Sequence, residues 1–287
     1  MKTLLIPAAC AAFLLMSMVG AHRVGAPVND LTAEKLNGKV RSYTLFTYET
    51  AKTGDEIDSD YSYKSTVTFN PEGNAEAEYA YNRYSVHQML HNYDRDGHIT
   101  SIKDQSGRVS SSYEYSRNAQ SMLIERESFG GHMMIVLIYN KNNFRDTVYN
   151  YDYAGKFSGK VIYHYDSQHN MIEQIRNKAD GTLNYRETYT YDKNHNQLSK
   201  TRYDATGHAK SGQHCVYDDY NNLITQIDSN DFYIGGFAPY DQLKGSDVHT
   251  RKFTYPHIDG HGNWLQEDAM VNGIAVRTMK RRIAYYR

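Results

Sequence analysis

The stretch "YTYDKNHNQL", residues 189–198, sets two tyrosines one residue apart, then an aspartate, then a run of turn-forming residues. Near copies occur as "YHYDSQHNMI" at 163–172 and "CVYDDYNNLI" at 215–224. With the second tyrosine as anchor, Tyr165, Tyr191 and Tyr217 lie 26 residues apart. Going backwards the series runs through Tyr139, Tyr115, Tyr93 and Phe69 and begins at Tyr48, and Tyr255 ends it after a longer step. Two further landmarks keep the same register. Glycine stands sixteen residues after an anchor at Gly131, Gly155, Gly181 and Gly207, and asparagine five residues after one at Asn74, Asn170, Asn196 and Asn222. Landmarks locked to one anchor make this an internal repeat, the first thing to settle in any reading of a fold.

Each unit parses as two strands and two turns. Tyr189 and Tyr191 share one face with Thr190 opposite, as do Tyr163 and Tyr165, Tyr149 and Tyr151, and Tyr113 and Tyr115. Alternation with period two among aromatic and β-branched residues signals a strand. Asp166, Asp192 and Asp218 follow directly, where a carboxylate accepts a backbone N–H two residues on and starts a turn. The asparagines Asn170, Asn196 and Asn222 suit a positive φ at the far side of that turn. The chain returns as a second strand, "QLSKTRY" for example, and turns again at "DATG", where Gly207 takes the left-handed conformation without a Cβ penalty.

About nine hairpins make roughly eighteen antiparallel strands, more than an open sheet of ~10 strands holds without curling or closing. The expected fold is therefore all-β: tandem antiparallel hairpins in a long curved, spiral or barrel-like sheet. In-register Tyr-x-Tyr rows form an aromatic ladder on one face, each cross-strand pair contributing about 0.2–1 kcal/mol. The opposite face, with its Thr, His, Asn, Glu and Lys, reads as solvated. Residues 41–287 form the repeat domain, with an insertion at about 229–247, and "NDLTAEKLNGK" suggests a short helix stopped at Gly38.

Residues 1–21 read as a signal peptide: Lys2, an apolar run, then small residues at Val19 and Ala21 where signal peptidase cuts. Residues 22–40 are a short leading segment. Cleavage after Ala21 leaves Cys215 as the one thiol, so no internal disulfide holds the exported chain. The expected compartment is periplasmic, cell-surface or extracellular. With 32 basic and 33 acidic residues and a pI near 6.9, the chain lacks the footprint of a nucleic-acid binder. Mean hydropathy is −0.73, and no later segment matches the ~18 apolar residues of a membrane helix, so membrane integration is not expected.

Tyr-Asp followed by a glycine- or asparagine-bearing turn resembles the YD-repeat (RHS-like) family of exported bacterial proteins. The residues that carry it are "YNYDYAG", "YHYDSQHN", "YTYDKNHN" and "CVYDDYNN", and the Gly262-Asn263-Trp264 turn is similar to the closing unit of short secreted members. The resemblance implies β-hairpin arrays, sometimes wound as a shell, with adhesion, carbohydrate binding or toxin encapsulation as roles. This chain is far shorter than the toxin-carrying members, so encapsulation is not expected of it.

Catalytic signatures are missing. "GKFSGK" at 155–160 is one residue short of a phosphate loop and reads as a repeat turn, and there is no GxSxG, HExxH or paired CxxC. His257, Asp259 and His261 offer ligand types, but their spacing serves a metal on a helix and the stretch reads as a turn. No catalytic residue, metal or cofactor is expected. The function expected is a non-enzymatic surface binding or adhesion scaffold for a glycan or protein, with an outer-membrane-type barrel, or a carbohydrate-active enzyme, as alternatives. Candidate binding residues are Phe232, Tyr233, Phe237 and Tyr240 in the insertion, together with Trp264. The structural repeat is carried by Tyr139, Tyr165, Asp166, Gly181, Tyr191, Asp192, Gly207 and Tyr217. Oligomeric state is not legible.

Overall fold

The structure, a computed structural model, describes residues 30, 36–49, 61–82, 86–229 and 248–287. The strands run β1 (Val40–Tyr48), β2 (Tyr63–Phe69), β3 (Ala75–Asn82), β4 (Val86–Tyr93), β5 (Ile99–Asp104) and β6 (Val109–Arg117). Next come β7 (Leu123–Phe129), β8 (His132–Tyr139), β9 (Arg145–Tyr151), β10 (Phe157–Tyr165), β11 (Met171–Lys178) and β12 (Leu183–Tyr191). The last are β13 (Gln197–Asp204), β14 (Ala209–Tyr217), β15 (Leu223–Ser229), β16 (Val248–Ile258), β17 (Trp264–Val271) and β18 (Ile274–Tyr285). Each pairs antiparallel with the next, and β1 also pairs with β18, from Val40 opposite Tyr285 to Tyr48 opposite Thr278. The sheet is thus an 18-stranded antiparallel closed β-barrel. Of the three shapes the repeat allowed, closure is the one adopted, and it removes both sheet edges.

The turns explain why the phrase recurs. On one rim eight five-residue connections open at Asn70, Asp94, Asn118, Asn140, Asp166, Asp192, Asp218 and Asp259. In the 192–196 turn the Asp192 amide donates to the Asn196 carbonyl and His195 N–H to the Asp192 carbonyl. Asp192 Oδ1 meanwhile accepts the amides of Asn194 and Asn196, both at 2.8 Å. This is a type I turn closed by a left-handed residue. That residue is His195 (φ 65°), with His169 (69°) and Asn221 (65°) in the sister turns, not Asn196, Asn170 and Asn222 as the sequence suggested. Those asparagines come one residue later, and each donates Nδ2 to the aspartate's second oxygen. On the opposite rim Gly155, Gly181 and Gly207 hold φ between 74° and 85°, as their spacing predicted. Gly38 is also left-handed (φ 84°), while residues 31–35 of the expected helix lie outside the described residues.

Register assigns the faces. Tyr189 pairs with Lys200, Lys200 with Gln213, and Gln213 with Asp228, one continuous row round the barrel. Tyr189, Glu187, Ser211, Cys215, Gln226, Asp228 and Arg251 on that face are buried, whereas Thr190, His214, Val216 and Lys252 opposite are exposed. The tyrosine face is therefore the inner wall. Two sequence readings change. Tyr149 and Tyr151 pair with the outer row, so Asn150 is the inward residue there. Tyr48, opposite Thr278, also faces outward and ends its strand at the other rim, so the true series starts at Phe69. Both follow from strand direction, because only even-numbered strands end at the aspartate rim.

Apolar packing is local. One cluster joins Leu36, Val40, Tyr43, Leu45 and Phe69 with Trp264 and Ile283 at the seam, and another joins Leu123, Leu137, Tyr139, Val148 and Val161. Among the described residues, the substantial backbone contacts join strands adjacent round the ring. Eighteen strands ~4.8 Å apart and tilted ~40° enclose a section of roughly 35 Å if round.

Candidate functional site

The inner wall is the candidate site, because it gathers the chemistry. Its first feature is a belt of phenols. Tyr93, Tyr115, Tyr165, Tyr191, Tyr217 and Tyr255 donate their hydroxyls to the carbonyls of Ala75, Ile99, Arg145, Met171, Gln197 and Leu223, at 2.8–3.1 Å. At the seam Tyr286 donates to the Phe69 carbonyl at 2.5 Å. Tyr139 breaks the pattern and donates to Glu125 Oε2 at 2.5 Å. Burial pushes the phenols of Tyr93, Tyr115, Tyr139, Tyr165, Tyr191, Tyr217 and Tyr255 up, Tyr191 to about 12 with Asp166 adding to it, so these seven stay neutral donors.

The second feature is a set of charges within the tyrosine rows. Glu187, 2% exposed, accepts from Tyr189 (2.8 Å) and pairs with Lys200 Nζ (2.9 Å) and Arg202 (2.7 Å). Burial pushes its carboxyl up, but Lys200, Tyr189 and Arg202 outweigh that and hold it below the usual range. Asp228, 1% exposed, pairs with Arg251 at 3.3 Å and accepts from Gln213 and Gln226. Glu267 pairs with Arg277 at 2.7 Å. On β7, Glu125 and Glu127 face inward two residues apart, Glu127 accepting from Tyr113 at 3.2 Å. Burial raises both carboxyls, and Glu125 raises Glu127 further.

The repeat tyrosines, aspartates and glycines named from the sequence are rim and wall positions of successive units. Tyr139, Tyr165, Tyr191 and Tyr217 end alternate strands at the same rim. Trp264 opens β17 with the Arg281 guanidinium 3.5 Å over its ring and Tyr255 beside it at 6.1 Å, packed on the seam cluster. Phe232, Tyr233, Phe237 and Tyr240 lie outside the described residues. The tyrosine rows line the interior, opposite the face that the sequence reads as solvated.

His257, Asp259 and His261 are not drawn together as ligands. Asp259 accepts the Tyr285 hydroxyl and the amides of His261 and Asn263. Among the described residues the one trio close enough to share an ion is Asp94, Asp96 and His98, in an exposed turn whose Asp94 is already engaged with both neighbours. An open cleft of about 580 Å³ lies between two aspartate-rim turns, beside Phe144, Tyr165 and His169. Sequence reasoning missed the luminal charges. Their signal was parity: Glu187 sits two residues before Tyr189, and Lys200 and Arg202 alternate through "QLSKTRY" on the same face.

No family model and no curated protein matches the chain. Among solved structures it is similar to a porin-like protein from Bacteroides uniformis ATCC 8492, at 12% identity and TM-score 0.46, over 86% of this chain and 98% of that one. It is also similar to TcdB2-TccC3 in its complex with Cdc42, at 13% identity and TM-score 0.33 over 78% of this chain. The Photorhabdus luminescens Tc holotoxin pore matches at 14% identity and TM-score 0.32 over 77%. The chain matches about an eighth of the length of each Tc chain, 12% in both cases.

Proposed function

We propose that the chain is an exported, non-enzymatic barrel that takes up a glycan within its lumen. The observation that carries this reading is the inward orientation of the tyrosine rows, interleaved with Gln174, Gln213, Arg176 and Arg202. Phenol rings offer apolar faces to a sugar ring, and amides and guanidinium groups satisfy its hydroxyls. The leader-like residues 1–21 support export. Titrating purified protein with a panel of oligosaccharides, followed by calorimetry, tests the reading. Saturable binding lost in Tyr185→Ala is the expected result, and heat-silent titrations across the panel would end the proposal.

A second reading, an outer-membrane-type channel, is favoured by strand number together with a polar interior, because barrels of 16–18 strands leave a water-filled path. The outward face weighs against it. Glu114, Arg126, Lys160, Glu173, Arg186 and Lys252 point outward within their strands. A lipid-facing Arg or Lys costs about 2–4 kcal/mol at the bilayer midplane. Release from cells into detergent-free buffer is expected. Extraction by detergent alone, with conductance steps in planar bilayers, would establish the channel instead.

A further inference from the structure

Independently of what the lumen holds, we propose that the outer wall centred on β8 is the contact surface for a second copy of this chain. The two copies are related by a two-fold axis running along β8. This strand is unlike its neighbours. Residues 133–138 read MMIVLI, without the polar alternation of a strand that faces water on one side. Ile135 and Leu137 turn inward, Leu137 into the cluster with Val148 and Val161, so Val136 and Ile138 turn outward. β12, by contrast, turns Arg186, Thr188 and Thr190 outward. Ile138 sits in an outer row that runs Ser116, Ile124, Ile138, Thr147 and Ile162 across β6 to β10, so the strip is mainly aliphatic. Contiguous apolar surface of this kind on an otherwise polar wall marks an interaction site.

Charge identifies the occupant. The adjoining row runs Glu114, Arg126, Val136, Tyr149 and Lys160, one residue from each of β6 to β10. Glu114 and Lys160 form no ion pair among the described residues, and they stand two strands to either side of Val136. A two-fold along β8 lays β6 of each copy over β10 of the other, in the same row. Glu114 then meets Lys160 of the second copy, and the pair repeats on the far side of the axis. Arg126, steadied by the Ser116 hydroxyl at 2.8 Å, meets the Tyr149 ring of the second copy. Val136 and Ile138 meet their own counterparts. An isologous contact requires this self-complementarity. A bilayer would leave Glu114 and Lys160 without partners, so the charges favour protein over lipid. Five strands ~4.8 Å apart and two rows make a strip of roughly 20 by 15 Å, the size of a weak, reversible contact.

Sedimentation of the full protein in detergent-free buffer, from about 1 to about 100 μM, tests the inference. A shift from one chain mass to two across that range is expected, and added salt should weaken it. Val136→Lys places like charges on the axis and should keep the protein monomeric with its melting curve unchanged. Glu114→Lys alone and Lys160→Glu alone should each weaken the dimer about tenfold, and the double exchange should restore it. A monomer at about 100 μM would overturn the proposal, as would a dimer that the double exchange fails to restore or that Val136→Lys leaves intact. A protein that stays monomeric in buffer yet floats with phosphatidylglycerol vesicles, and loses them in Val136→Lys, would assign the strip to lipid and overturn it too.

Discussion

The hydroxyl of Tyr191, at the end of β12, donates to the carbonyl of Met171, at the start of β11, across 2.9 Å. The backbone ladder between these strands stops at Glu173 opposite Thr188, so the phenol closes the gap that the ladder leaves. The same geometry recurs at Tyr93, Tyr115, Tyr165, Tyr217 and Tyr255, each three residues beyond the last ladder pair. In these six units the tyrosine that ends the strand therefore fastens one hairpin to its predecessor.

Tyr191→Phe keeps the ring and leaves the Met171 carbonyl without its donor. A net loss of about 1 kcal/mol is expected in chemical denaturation. Tyr220→Phe, on a residue 71% exposed, is the control and should leave the midpoint unchanged.

Acid should loosen the aspartate turns. Hydrogen bonding from Asn170 and from Asn196 holds Asp166 and Asp192 below the usual range, and Thr206 does the same for Asp204. A carboxyl whose folded-state value is depressed stabilises the fold above its unfolded value of about 3.9, and that contribution is lost as pH falls through the folded value. Thermal midpoints should drop between pH 5 and pH 2. Asp192→Asn keeps the acceptor without the titration and should show a shallower drop.

Glu127 titrates in the opposite sense. Burial, and then Glu125, raise its carboxyl, so the ionised form costs stability at neutral pH. Glu127→Gln should raise the melting midpoint at pH 7 and lose that gain as the pH falls below about 4, where the native carboxyl is protonated. An equal gain at both pH values would point to packing as the cause.

Two glycines should differ in their response to alanine. Gly207 has φ 85° and open space around a built Cβ, so its substitution costs only the left-handed penalty of about 1–2 kcal/mol. Gly159 has φ 147°, and a Cβ there would run into the Asn177 carbonyl of the neighbouring strand. Gly159→Ala should therefore be the more damaging of the two in a denaturant titration.

Cys215 should resist thiol reagents at pH 7 until the protein unfolds. It is buried on the inner wall, and burial, then Asp228, push its thiol up to about 11. Rapid labelling of the folded chain would contradict that placement.

Hairpin period, turn positions and the glycine conformations were legible because each is set within a few residues. Asp192 and Gly207 declare their turns by themselves. The left-handed place of His195 was not legible, since it depends on which of two adjacent residues closes the turn and histidine gives no strong signal. Closure was less legible still, because it is decided by Val40 meeting Tyr285, a pairing outside the repeat. The inward orientation of the tyrosines follows from that closure. The luminal role of Glu187, Lys200 and Arg202 could have been read from parity alone, but a charged residue beside a tyrosine row looks like an ordinary solvated face until the sheet is known to be curved.

The join between β1 and β18 also imposes an order of events during synthesis. Every other ladder links neighbours in sequence and can zip as the ribosome delivers them, whereas the first strand must wait, its edge unpaired, until the eighteenth emerges. Newborn chains are then sticky for most of translation, and an escort that shields that waiting edge would govern yield more than any side chain in the finished wall.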